Sequence, residues 1–298
     1  MRLRASVAAF LVVTAGFLLA VAILPGGARA ATLYVGGSGP GNYTTIGAAI
    51  GAASTGDTVF VYSGTYSETA TIGKTISLIG ENRAATIVDG GSLYLTARWA
   101  NVSGFTFRGH GGFWGIRAHF SSDCRIEDNA ISGYTYGILF NSSTRITLTN
   151  NAFVGTGVYI NGMNGGSPLV DDWNSHTIGT SNTVNGRPIV YWRDVAGGTI
   201  PTGAGQVLLA NVTGVTVQSQ SLANASVGVE IGFSTDVRVL GNNISGNAAD
   251  GIRLHHSTSS RIEANDVVGN GEGIAVWVSN NNRVVNNTVT ANSAGGIT

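Results

Sequence analysis

From Gly115 onward the apolar residues return at a fixed interval. Gly-Ile or Gly-Val pairs begin at Gly115, Gly137, Gly228, Gly251 and Gly273, and a last one begins at Gly296. Within the two uninterrupted runs the steps are 22, then 23, 22 and 23 residues. Counting from each glycine, the first position is Ile116, Ile138, Val229, Ile252 and Ile274, and the third is Ala118, Phe140, Ile231, Leu254 and Val276. The eleventh is Ile126, Leu148, Val239, Ile262 and Val284, and the sixteenth is Ile131, Phe153, Ile244, Val267 and Val289. All four columns are apolar. Alternation within short runs places the first and third positions on one face of a strand. One repeat cannot bury its own apolar row, but repeats stacked about 4.8 Å apart share a continuous core. The pattern predicts an all-β fold: a right-handed, single-stranded parallel β-helix, a solenoid with rungs of 22–23 residues. A leucine-rich repeat of similar period needs several leucines per turn, and the columns hold few.

The fourteenth position is asparagine in all five complete copies: Asn129, Asn151, Asn242, Asn265 and Asn287. Stacked, these amides are expected to form a ladder, each bonding its neighbours and the turn backbone. Gly and Asn are also read as corner residues, because both tolerate left-handed backbone.

The chain divides around this pattern. Residues 1–30 have Arg2 and Arg4 before an apolar run from Val7 to Leu24, then Ala28-Arg29-Ala30. That is the form of a secretory signal peptide, with the mature chain starting near Ala31. The competing reading is a retained membrane anchor, since the run approaches spanning length. No cysteine follows it, so a bacterial-type lipoprotein anchor is excluded, and no other stretch is long and apolar enough to span. Residues 31–114 are read as an N-terminal cap and first rungs. Within them Thr44–Ser54 carries Ile46, Ala49, Ile50 and Ala53 at helical spacing, with Thr44 or Thr45 as N-cap. Such a helix would plug the open end of the core. Residues 115–155 and 228–298 are regular rungs, and 156–227 lose the register. There Asn185-Gly186 predicts a hairpin between Thr183-Val184 and Ile189–Trp192. It is expected to project from the solenoid. The sequence stops as a new rung begins, so further rungs or another domain are expected after residue 298.

Composition narrows the function. Charged residues are 11 % of the chain, against about 25 % usually. Basic and acidic residues are 16 each, and loss of Arg2, Arg4 and Arg29 leaves 13 against 16, a net charge near −3. No basic surplus draws nucleic acid or an anionic membrane. A lone cysteine, Cys124, allows no intrachain disulfide and reads as a small buried residue. Lys74 is the single lysine, read as a composition bias. Sequons at Asn42, Asn101, Asn141, Asn211, Asn224, Asn243 and Asn286 are candidate glycosylation sites in a secreted chain.

The segment TIGAAIGAASTGDTVFVYSGTYSETATIGKTISLIGENRAATIVDG, residues 45–90, resembles the N-terminal cap and first rungs of pectin-lyase-like β-helix proteins. The later rungs resemble the NosD family and the carbohydrate-binding and sugar-hydrolysis (CASH) repeats. NTVNGRPIVYWRD followed by GAGQVLLANVTGVTV resembles a segment of archaeal surface NosD-like proteins. The resemblance implies a secreted or cell-surface β-helix module, carbohydrate-binding or structural, whose partner is a polysaccharide or surface glycan. The alternatives are a polysaccharide lyase or glycoside hydrolase, and an accessory protein for periplasmic copper enzymes. The catalytic sets of pectate lyases, pectin methylesterases and polygalacturonases do not lie onto this sequence residue by residue, so no catalytic residue is assigned. Copper(I) favours Cys, Met and clustered His. The mature chain has Cys124 and Met163, His255 and His256 adjacent on a strand and expected to face opposite sides, and His110 and His119 alone, so no metal site or cofactor is predicted.

Two groups of candidate ligand-binding residues remain. One lies where the register fails: Asp171, Asp172, Trp173, His176, Tyr191, Trp192, Arg193 and Asp194. Carboxylates hold sugar hydroxyls, Trp faces stack on pyranose rings, and paired carboxylates do acid–base work. The bland alternative is a hairpin packed down by its own tryptophans. The second group lies on the repeated strand at positions two and four, pointing away from the core: Glu230, Arg253, His255 and Trp277. Glu230 and Arg253 sit on adjacent rungs and are expected to pair, and His255 to neighbour Trp277. The bland alternative is a solvated face with one ion pair.

Overall fold

The computed structural model of the protein describes residues 30–162 and 169–298. The expected leader up to Arg29, and Met163, lie outside the described residues. Among the described residues no helix is long and apolar enough to cross a membrane. The chain is a parallel β-solenoid, and all four apolar columns point into its core. Ile116, Ile138, Val229, Ile252 and Ile274 are fully buried and pair in register rung on rung.

The first helix, α1 (Ile46–Ala52), closes the N-terminal end, burying Ile46, Ala49 and Ile50. Both its ends are tied to the next rungs. Thr45 Oγ1 accepts from Ala48 N, and the Glu68 carboxylate accepts from Ile46 N and Gly47 N at 2.7 and 2.8 Å. At the other end Lys74 Nζ donates to the carbonyls of Gly51 and Ala53 at 2.8 and 2.7 Å. The single lysine therefore satisfies carbonyls that a helix end leaves open, a role that composition did not reveal.

The asparagine ladder forms as a hydrogen-bonded stack. Asn242 Nδ2 donates to Asn265 Oδ1 at 2.9 Å, and Asn265 Nδ2 to Asn287 Oδ1 at 2.8 Å. Asn129 and Asn151 do the same in the earlier rungs, where Asn182 joins them from an irregular stretch. A second ladder, Asn247–Asn270–Asn292, runs five positions further on. The ladder asparagines are not themselves left-handed. The residue before each one is: Asp128, Asn150, Gly241, Ala264 and Asn286 have φ of 54–58°. The glycine that starts each repeat is needed for close approach. A Cβ on Gly251 would lie 2.6 Å from Val267 Cγ1 and 2.7 Å from the Gly273 carbonyl oxygen.

The irregular middle turns one solenoid into two coils. The strand Thr183–Val184 continues the first coil in parallel with Ala152–Val154. After Asn185 and Gly186, both at positive φ, Arg187–Arg193 returns antiparallel to it. Arg187–Arg193 then pairs in parallel with Gln206–Ala210, which pairs with Val227–Gly232, and so on to Gly295–Ile297. The hairpin thus lies within the sheet and does not project, because both its strands find partners there. Strand direction reverses while the coil advances the same way along the sheet. A right-handed coil can do that only if its core changes to the other face of the shared sheet. Two separate cores result. Val190, Val207, Leu209, Val229 and Ile231 belong to the second, whereas Ile189, Leu208, Ala210 and Val227, on the opposite face, complete the first.

Candidate functional site

The joint between the coils decides where the candidate residues go. The last strand of one sheet of the first coil is Val158–Asn161, paired on one side with Ala130–Asn141. Its other edge meets side chains of the second coil. Gln206 accepts from Val158 N at 3.0 Å and donates to Val158 O at 2.5 Å. One rung on, Glu230 Oε2 accepts from Ile160 N at 3.1 Å, and Arg253 Nη1 donates to Ile160 O at 3.0 Å. Arg253 Nη1 also meets Glu230 Oε1 at 2.7 Å. These side chains satisfy an exposed edge that would otherwise invite pairing with another chain.

The expected Glu230–Arg253 pair is therefore present, but not on a solvated face. It points away from the core of its own coil and is buried against the other, with side chains 0 and 4 % exposed. Burial pushes the Glu230 carboxyl up to about 7 against the pull of Arg253. His255 is buried as well, stacked on Trp173 with ring centroids 5.4 Å apart, and burial pushes it down to about 3.

The group from the irregular middle is the other half of the joint. The short helix α2 (Asp171–Asn174) lays Trp173, fully buried, on the bare backbone of Gly232. Tyr191 Oη donates to Trp173 O at 2.5 Å, and Arg193 Nη1 to Asn174 O at 2.7 Å. Asp194 Oδ1 accepts from Asn174 and Asn211, both at 2.7 Å. His176 is buried, its Nδ1 accepting from Ile146 N and its Nε2 on Asp172 O. Burial holds it neutral, down to about 4, and raises Asp172. Trp192 packs against the second core. Trp173 thus offers no free face to a sugar ring, and Trp192 is half-buried. In the first group Tyr191, Arg193 and Asp194 fasten α2, which carries Asp171 and Asp172, to the second coil.

Beside the joint, where the first coil ends and the second continues, a cleft of about 230 Å³ opens. Trp277 forms one wall, 45 % exposed. Tyr136 and Tyr159 form another, with ring centroids 4.5 Å apart. Between them lie Asp250 and Glu272, Cα partners on adjacent rungs. Tyr159 Oη donates to Asp250 Oδ2 at 3.3 Å. Burial, with a smaller push from Glu272, raises Asp250 to about 6. Arg253 closes the floor, its guanidinium 4.5 Å from the Tyr159 ring centroid. Arg253 Nε and Asn161 Oδ1 are buried and have no hydrogen-bond partner among the described residues. Buried polar atoms are rarely left so. The cleft thus sets aromatic side chains beside two carboxylates, over a floor whose two unpaired polar atoms are buried.

Of the candidates from sequence, Arg253 and Trp277 reach this cleft. Tyr136, Tyr159, Asn161, Asp250 and Glu272 were missed. One signal was available for Tyr136, Asp250 and Glu272: each immediately precedes the repeat glycine, a column the apolar periodicity passes over. Tyr159 and Asn161 sit where the register fails and had none. Among the described residues no three His, Cys, Asp or Glu side chains group to hold a metal ion. Cys124 is buried with its thiol raised by burial.

The right handed beta helix region family model matches residues 91–298, and the chain belongs to that family. No curated protein matches it. Among solved structures it is similar to pectin methylesterase from carrot, at 14 % identity and TM-score 0.41, over 89 % of this chain and 85 % of that one. It is also similar to the alginate lyase of Paenibacillus sp. str. FPU-7, at 13 % identity and TM-score 0.36, over 90 and 97 % of the two chains. The A-module of the Azotobacter vinelandii mannuronan C-5 epimerase AlgE4 is a third, at 15 % identity and TM-score 0.36, over 81 and 88 %. These likenesses concern the coil alone.

Proposed function

We propose that this protein is a secreted or cell-surface β-helix module that binds carbohydrate in the cleft between its two coils. The observation that carries the reading is the exposed Trp277 indole beside Asp250 and Glu272, opposite Tyr136 and Tyr159. An indole face covers the apolar side of a sugar ring, and carboxylates accept its hydroxyls. The pectin-lyase-like and NosD-like features of the sequence agree with this reading. The test is a glycan array on the mature protein, followed by calorimetry on the best ligand with Trp277→Ala and Asp250→Asn. Loss of binding in both variants, with circular dichroism unchanged, supports it. A folded protein that binds no glycan, or variants that bind as tightly as the parent, would refute it.

One observation favours an enzymatic second reading. Asp250, raised to about 6 beside Glu272, can hold a proton near neutral pH, as a general acid must. A polysaccharide hydrolase or lyase would then release reducing or unsaturated ends, with activity lost in Asp250→Asn. No product from a polysaccharide panel leaves the binding reading alone. For the copper-accessory alternative, the described residues offer one histidine pair, His255 and His256, whose Nδ1 atoms lie 3.1 Å apart and do not face opposite sides as the alternation implied, and no group of three His, Cys, Asp or Glu.

A further inference from the structure

On another sheet of the second coil, away from the cleft, the strands Arg238–Leu240, Arg261–Glu263 and Arg283–Val285 lie in register. Arg238, Arg261 and Arg283 are direct Cα partners, so three guanidinium groups are stacked one per rung, about 4.8 Å apart. They line an open groove of about 490 Å³. Like charges directly opposite on neighbouring strands are unfavourable, and folding does not require them here. The equivalent column of the first coil reads Asn101, Arg125 and Thr147, with a single arginine. The second coil compensates its arginines only in part. Arg261 makes a two-pronged contact with Glu263 at 2.5 and 2.7 Å. Arg238 stands 3.9 Å from Asp236, and Arg283 has no ion-pair partner among the described residues.

We propose that this arginine column is a second binding site, for an acidic polysaccharide lying along the solenoid axis. In a two-fold chain of pyranose rings with one carboxylate or sulfate each, every second anion faces the same side, at roughly twice the rung spacing, so anions two rings apart can meet Arg238 and Arg283, two rungs apart. Guanidinium groups take such anions in paired hydrogen bonds. The rest of the groove suits a sugar better than a nucleic acid. Asp236 and Glu263 accept hydroxyls but repel phosphates, and Ser259 and Asn281 donate and accept along the rim. No aromatic residue lines it, whereas single-stranded nucleic acid sites stack bases on aromatic side chains.

The experiment uses affinity electrophoresis and calorimetry on the mature protein, with polygalacturonate, fully methyl-esterified pectin and oligo-dT as probes. The parent is expected to bind polygalacturonate more weakly as salt rises, and to bind the esterified polymer poorly. Arg283→Gln should weaken binding roughly three-fold, and the triple variant Arg238→Gln, Arg261→Gln, Arg283→Gln at least about ten-fold, as exposed charge contacts allow. In a Trp277→Ala background, where the cleft no longer contributes, the arginine variants should show the same fold losses, which separates this site from the carbohydrate reading above. If the triple variant does not fold, Arg283→Gln alone decides. No binding of polygalacturonate, undiminished binding by the arginine variants, or equally tight binding of the esterified polymer or of oligo-dT overturns the proposal.

Discussion

Replacing Gly232 by alanine isolates the joint between the two coils. Gly232 lies in a strand and is not among the residues of positive φ, so its backbone accommodates alanine. Nor does the rung demand glycine, because the same position is His119, Asn141, His255 and Trp277 in other copies. What forbids the methyl group is contact. A Cβ there would lie 2.0 Å from Trp173 Cε3 and 2.4 Å from Cδ2, in the face of a fully buried ring. The ring cannot slide freely, since it stacks on His255 and the Trp173 carbonyl is held by Tyr191. Overpacking of this kind costs about 1–3 kcal/mol. Trp173→Ala should cost about 3–5 kcal/mol by leaving a cavity. In the double variant the methyl group enters the space the indole vacated, so the combined loss should fall short of the sum by about 1 kcal/mol or more. Urea unfolding followed by far-ultraviolet circular dichroism measures all four proteins. A Gly232→Ala protein as stable as the parent, or strict additivity in the cycle, would show that the ring does not rest on that backbone.

Three further outcomes follow from the same geometry. Asn265→Ala removes the centre of the Asn242–Asn265–Asn287 ladder and strands Asn242 N and Val239 O, bonded at 2.9 Å each. It should cost about 2–5 kcal/mol in urea unfolding, and Asn287→Ala, nearer the end of the stack, clearly less. Lys74→Met leaves the α1 carbonyls uncapped and should cost about 1 kcal/mol, read as faster amide exchange in the first rungs. For pH, burial lowers His255 to about 3 and His176 to about 4. As pH falls below about 6.5 the unfolded chain takes up protons that the fold refuses, so their contribution is lost over that window. Glu230 and Asp250 are raised to about 7 and about 6, so the fold keeps protons that the unfolded chain releases, and stability is lost as pH rises from about 4 to about 7. The two effects offset, so the melting temperature should stay nearly level from about pH 5 to 8 and drop below about pH 5. Asp250→Asn should unmask a rise between about pH 5 and 7, and a parent curve that climbs steeply there would contradict the assigned directions.

The coil was legible because its signal is local and repeated. An apolar residue at the first or eleventh position says the same thing in every rung, and the asparagine column adds a second, independent period. The Asn185-Gly186 turn was legible for the same reason, since left-handed backbone at two adjacent residues is a property of those residues. Glu230 and Arg253 show where this kind of reading stops. Their alternation correctly placed them away from their own core. It carried no information about Ile160, 70 and 93 residues away, whose backbone they satisfy. Likewise Trp173 offered a stacking face on paper and is buried on Gly232 in the fold. The amino-acid sequence alone determined the rung, its length, its ladders and the place where the register breaks. The tertiary structure decided that the core changes sides of the sheet at that break. That change turns an outward face into a buried joint and brings Tyr136, Asp250, Glu272 and Trp277 to one cleft. No periodicity records it, because it follows from the handedness of a coil whose strand direction has been reversed.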